Sequence, residues 1–239
     1  TVALNLWFAK REDELGVRLP ERHVLNLRGE VIAETTYPQV MTSWKRLFDE
    51  LRAIFPDERY HGDMNFESFE QDADRVVARF SDGTAVESEL LLACDGNRST
   101  LRTQVLPGVK PHYPGYIAWR CLTDESSFSE QTHATLFGRY NVCLTPGQQA
   151  VGYPVPGVDH RTDPGSRQFN VVWYHPVPEE GLADLMTDAT GTHHPFGIPP
   201  ALIRDDVRDH MREQAQLKLA PQFAEAVERA RVQLFQPIA

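Results

Sequence analysis

Residues 90–102, Leu-Leu-Leu-Ala-Cys-Asp-Gly-Asn-Arg-Ser-Thr-Leu-Arg, constrain the fold more than any other stretch of the chain. Leu90, Leu91 and Leu92 form a short apolar run after a hairpin signal at Asp82-Gly83, and a run bounded by turns predicts a fully buried strand. The acidic turn at Asp95-Gly96 then falls at the strand's carboxyl end, where open α/β sheets receive their ligands. Gly96 allows a ligand to approach the backbone closely, and Asp95 offers acceptors to ribose hydroxyls. The same residues, Asp95, Gly96, Ser99 and Arg102, read equally well as a strand-to-helix turn whose side chains cap the helix.

The rest of the chain supplies elements on both sides of this turn. Val24, Leu25 and Leu27, with Val31 and Ile32 beyond Arg28-Gly29, predict a hairpin within a sheet segment from Thr1 to about Tyr37. Trp44, Leu47, Phe48, Leu51, Ile54 and Phe55 recur at helical spacing, with Thr42 or Ser43 as cap and Pro56 as stop. Val76, Val77, Ala78 and Phe80 read as a strand before the Asp82-Gly83 turn. From Pro111 to about Tyr174, short strands separated by Pro and Gly predict a half-covered antiparallel sheet. Two helices follow, from about Ala201 to Gln216 and from Pro221 to Ala230, before Val232-Gln233-Leu234-Phe235 returns as a strand.

Composition narrows the function class. The chain has 239 residues, 41% of them hydrophobic, enough for one large or two small cores. The 24 Lys and Arg are outnumbered by 34 Asp and Glu, for a net charge of −10, which argues against a nucleic-acid partner. Cys94, Cys121 and Cys143 stand at no metal spacing and fit a reducing compartment, so cytoplasm is expected. No apolar run approaches membrane-spanning length, and no membrane partner is expected. Asp206 and His210 stand at i and i+4 and His193-His194 add two imidazoles, but spacing places no third ligand and no metal site is expected.

The pattern D-G-x-x-S-x-x-R at Asp95, Gly96, Ser99 and Arg102 resembles that of the flavin-dependent aromatic hydroxylases of the hydroxybenzoate hydroxylase type. Arg59–Asp63, Arg79–Thr84, Tyr113–Glu125, Gly152–Gly157, Phe169–Glu179 and Leu182–Gly191 are similar, in this order, to the branch acting on dihydroxypyridines. The resemblance implies FAD contact for Asp95, Gly96, Ser99 and Arg102. It implies a mixed α/β (α+β) fold: a partial Rossmann-like FAD-binding domain and a mostly antiparallel β-sheet substrate domain. Its implied segments are 1–40 in the substrate sheet, 41–107 in the FAD-binding domain, 108–200 in the substrate sheet and 201–239 returning towards the FAD domain. None of the 15 glycines has G-x-G-x-x-G spacing, and the family's later G-D-A motif does not occur, so the resemblance implies an internal piece of a longer flavoprotein, inactive by itself. Many family members carry a flavin-contacting arginine where Trp44 stands, and no such role passes to Arg46.

The implied chemistry uses FAD, NAD(P)H, O₂ and a small aromatic substrate: reduced flavin and O₂ give a C4a-hydroperoxide that an electron-rich or hydroxypyridine ring attacks. Tyr116, Trp173 and Tyr174 are the candidate substrate-binding residues, with Trp119, Arg120 and His175 as further polar-tipped neighbours; Trp119 and Trp173 read more readily as core or sheet-face packing than as substrate platforms. The catalytic residue is unassigned. A homodimer is compatible with the sequence. Two alternatives stay open: a related flavoprotein with another substrate, and an inactive fragment or binding module without FAD.

Overall fold

The computed structural model describes residues 15–238, so the sheet character expected of residues 1–14 lies outside the described residues. The chain divides into two units, one of residues up to 50 with 115–238, the other of residues 51–114.

The first unit is built on a seven-stranded sheet. Strands β1 (Val17–Leu25) and β2 (Val31–Met41) form the expected hairpin. Asn26 Oδ1 organises its turn by accepting from the amides of Arg28 and Glu30 at 2.9 and 3.1 Å. Gly29 closes it with φ +79°, a backbone that favours glycine, and a Cβ there would push against the Gln222 side-chain amide, which lies 2.4 Å away. Helix α1 (Trp44–Ile54) follows, capped by Ser43 Oγ, which accepts from the Arg46 amide at 3.1 Å. Its apolar stripe is not buried: Trp44, Phe48, Leu51 and Ile54 are exposed, while the Arg46–Glu50 ion pair at 2.8 Å is the well-covered one.

In the second unit β3 (Phe66–Gln71), β4 (Val76–Phe80) and β5 (Ala85–Ser88) form an antiparallel meander. The Asp82-Gly83 turn joins the last two as expected, with Asp82 Oδ1 accepting from the Thr84 amide at 2.8 Å. Helix α2 (Thr100–Val105) is fixed to β3 by Gln104, whose Nε2 donates to Glu67 O at 2.8 Å and whose Oε1 accepts from the Phe69 amide at 3.2 Å. The expected buried strand at Leu90–Leu92 does not form: these residues have no regular structure, and Leu90 and Leu92 are 69% and 75% exposed. An apolar run becomes a buried strand only with a neighbour along its edges, and no described strand pairs with it.

The remaining elements complete the first unit: β6 (Tyr116–Asp124), α3 (Glu130–Leu136), β7 (Arg139–Thr145), β8 (Gln148–Val155), β9 (Gln168–Pro176), α4 (Glu179–Leu185), α5 (Asp205–Lys218), α6 (Pro221–Glu228) and β10 (Val232–Pro237). The sheet order is β10-β6-β9-β8-β7-β1-β2, antiparallel throughout except where β1 runs parallel to β7. Residues directly opposite one another share a face. One face carries Trp119, Phe169, Trp173 and Phe235, all almost fully buried with Phe223 of α6. Thr123 Oγ1 donates to Ala226 O at 2.7 Å and ties α6 to this covered face. No described helix is long and apolar enough to cross a membrane.

Candidate active site

The opposite face of the large sheet has a different chemistry. Ala118, Val151 and Val172 form a small buried floor, against which Tyr140, Tyr153 and Tyr174 pack half-buried. Tyr140 and Tyr153 stack, with centroids 5.2 Å apart and planes 10° from parallel. Tyr116 meets Tyr174 edge to face at 6.0 Å. Arg22 of β1 stands over the Tyr37 ring at 3.8 Å and the Tyr140 ring at 5.1 Å, while its Nη2 donates to Gln39 Oε1 at 2.8 Å. Arg120 projects from the same face, its Nε donating to Gln236 Oε1 at 2.9 Å.

Strand alternation explains why these groups converge. Arg22 lies opposite Tyr140 in the β1–β7 register, Tyr153 opposite Asn170, and Ala118 opposite Tyr174, so residues of one parity on five strands share one surface. Burial pushes the Tyr140 phenol above its usual range, Tyr153 and Tyr174 add to the shift, and Arg22 opposes it. Burial likewise raises Tyr153, with Tyr174 adding and Arg120 and Asn170 opposing. Both remain neutral O–H donors at physiological pH.

Beside this surface lies a cavity of about 880 Å³, with Arg120, Leu122, Tyr153 and Asn170 along one side. Its wall includes Thr42–Lys45 and the segment from Pro156 to His160. Asp159 and His160 adopt φ values of 55° and 61°, a left-handed conformation that non-glycine residues hold only under constraint. The constraint is visible: His160 Nε2 and Asp49 Oδ2 are 2.9 Å apart.

Of the residues expected to bind substrate, Tyr116 and Tyr174 meet on this face. Trp173 is on the other, because its neighbour Tyr174 cannot share its side of a strand. Trp173 is fully buried and its Nε1 donates to Gln148 Oε1 at 3.0 Å. It lines a separate cavity of about 330 Å³ with Trp119, His175, His210 and Met211. Burial holds the His175 imidazole down to about 4, helped by Lys218 and His210. Sequence reasoning missed Arg22, Tyr140, Tyr153 and Asn170. Only a tyrosine recurring at one parity on successive strands signals them, and that signal needs the register to be read.

The second unit holds the Asp-Gly turn. Gly96 has φ +75°, and nothing lies within 4 Å of where a Cβ would stand. Asp95 Oδ2 accepts from the Leu101 amide at 3.3 Å, and the Ser99 hydroxyl, with these amides, holds its carboxyl below the usual range. Ser99 caps α2, its Oγ accepting from the Arg102 amide at 2.8 Å, and Arg102 Nη2 donates to Asn97 O. The four residues therefore share one turn, and its open side is at Gly96.

Comparison with known proteins places this architecture. The FAD binding domain-like family model matches residues 113–239. The chain is 30% identical over 173 residues to 2,6-dihydroxypyridine 3-monooxygenase of Paenarthrobacter nicotinovorans, covering 72% of this chain and 43% of that protein. It is 30% identical over 177 residues to aurachin C monooxygenase/isomerase of Stigmatella aurantiaca, covering 65% of this chain and 46% of that protein. The chain thus spans about half the length of the curated relatives it matches. Among solved structures, 2,6-dihydroxypyridine-3-hydroxylase from Arthrobacter nicotinovorans superposes with a TM-score of 0.89 at 24% identity, over 99% of this chain and 60% of that one. Klebsiella pneumoniae HpxO complexed with FAD and uric acid gives 0.70 at 20% identity, over 99% and 56%. The chain belongs to the FAD binding domain-like family and has the fold of the FAD-dependent aromatic hydroxylases.

Proposed function

We propose that this chain carries the substrate face, and part of the flavin site, of an FAD-dependent monooxygenase that hydroxylates an electron-rich aromatic or hydroxypyridine ring with O₂ and NAD(P)H. The observation that carries the reading is the stacked Tyr140–Tyr153 pair under Arg22, beside Arg120 and above an apolar floor. A planar hydroxylated ring matches such a surface in shape and polarity. The open, positive-φ Gly96 and the ionised Asp95 fit a ribose or pyrophosphate edge, although the sequence supplies no glycine-rich phosphate cradle. Asp95 and Gly96 would hold that edge; Ser99 and Arg102 would hold the turn in shape. FAD, when bound and reduced, supplies the activation of O₂.

The chain's own groups have three tasks. Neutral Tyr140 and Tyr153 donate hydrogen bonds to a ring oxygen, and they bond most strongly once that oxygen has lost its proton. Arg22 and Arg120 add positive potential on the same face, which favours the deprotonated and more nucleophilic ring. Ala118, Val151 and Val172 keep water from the underside of the ring.

A second reading has an observation of its own. Asp95, Ser99 and Arg102 all make hydrogen bonds within their own turn, as a purely structural turn would, which supports a binding module without FAD. Titration of the 239-residue chain with FAD, followed by flavin fluorescence, separates the two. Saturable micromolar quenching, weakened at least tenfold by Asp95→Ala, is expected. Absence of quenching would favour the module.

A further inference from the structure

The β1–β2 hairpin carries a cluster on the side of β1 away from Arg22. Glu21 and His23 are two apart on β1 and so share a face, and Glu34 of β2 is the direct cross-strand partner of His23. His23 is 6% exposed, yet neither of its ring nitrogens has a hydrogen-bond partner. A buried imidazole left so is costly unless something else engages it.

The distances indicate what does. His23 Nε2 lies 3.5 Å from Glu21 Oε2 and 3.4 Å from Glu34 Oε2. A charge-assisted hydrogen bond would close to about 2.7–2.9 Å. Two ligand atoms each about 2.1 Å from one tetrahedral ion stand about 3.4 Å apart, which is the spacing found here. All three candidate ligand atoms lie within 4.8 Å of one another.

We propose that Glu21, His23 and Glu34 form a site for a divalent metal ion of the zinc type, completed by water. One imidazole nitrogen with two carboxylate oxygens is a borderline-to-hard donor set suited to such an ion. Charge is consistent with it: Arg139, whose Nε is 3.6 Å from Glu21 Oε2, offsets one of the two carboxylates and leaves the other to face a cation. Arg139 makes no hydrogen bond through that Nε, and it lies opposite Glu21 in the β1–β7 register, where it orients the carboxylate. The ion would clamp β1 to β2. It is independent of the tyrosine face, since His23 and Arg22 point to opposite sides.

The test is a zinc titration of the full chain against a chromophoric chelator, followed by cobalt substitution. One Zn²⁺ per chain with micromolar or tighter affinity is expected, and the cobalt form should show the intense visible bands of a tetrahedral site. Glu34 is largely exposed, so Glu34→Gln keeps the fold, which far-UV circular dichroism checks, and should weaken zinc at least tenfold; His23→Gln should abolish binding. No zinc bound to the wild-type chain, or binding unchanged in Glu34→Gln, would overturn the proposal.

Discussion

The two faces of the seven-stranded sheet are made by the same strands and differ in almost every physical respect. The covered face is aromatic and dry: Trp119, Phe169, Trp173 and Phe235 are each at most 3% exposed, beneath α6. The other face sets tyrosines and arginines on a floor of three small aliphatic residues. Adjacent residues divide between the faces, as Trp173 and Tyr174 do, so a strand position carries either packing or ligand chemistry. This separation lets the binding surface change without disturbing the core.

Three changes test that separation, in descending order of effect on stability. Phe223→Ala, in the core of the covered face, should destabilise by about 3–5 kcal/mol in urea unfolding. Arg167→Ala should cost about 3 kcal/mol, because it removes the guanidinium that gives buried Glu125 its bonds from Nε at 2.9 Å and Nη2 at 2.5 Å, leaving only His133 and the residue-167 amide. Burial raises the Glu125 carboxyl, but the bonds from Arg167 and His133 outweigh it and bring it from 4.5 to about 2. A depressed acid stabilises above its unfolded value, so this contribution is complete above pH 4.5 and lost as pH falls towards 2. Unfolding measured across that window should be steeper in the wild type than in Glu125→Gln. Tyr153→Phe should change stability by less than about 0.5 kcal/mol. It should nevertheless weaken binding of a hydroxypyridine to the tyrosine face about tenfold or more, the scale of one hydrogen bond to a charged group. A large stability loss at Tyr153, or none at Phe223, would erase the contrast between the faces.

What the sequence revealed depended on the range of the interactions. The hairpins around Gly29 and Asp82-Gly83 and helices α1, α5 and α6 are written in local turn chemistry and periodicity, and they form where expected. Leu90–Leu92 has the composition of a strand but no described partner, and burial is a property of the pair rather than the run. The apolar stripe of α1 was legible as a pattern, while its exposure was not. The tyrosine face was half legible: Tyr116 and Tyr174 lie on the expected strands, whereas Tyr140, Tyr153 and Arg22 join them only through the β7–β8 and β1–β7 registers. Of the residues first weighed as ligands, His194 pairs with Asp188 at 2.8 Å and Asp206 with Arg204 at 3.1 Å.

The parallel pairing of β1 with β7 also bears on how the chain reaches its native state. Val24 and Val142 are partners, and along the chain residues 51–114 stand between β2 and β6. The β1–β2 hairpin closes locally, but its attachment to the sheet awaits a segment more than a hundred residues further along the chain. Loop-closure entropy rises only logarithmically with the length in between, so the distance along the chain adds little to the cost of joining β1 to β7. Non-local pairing of this kind slows folding, and attachment of the hairpin is expected to be a late kinetic step.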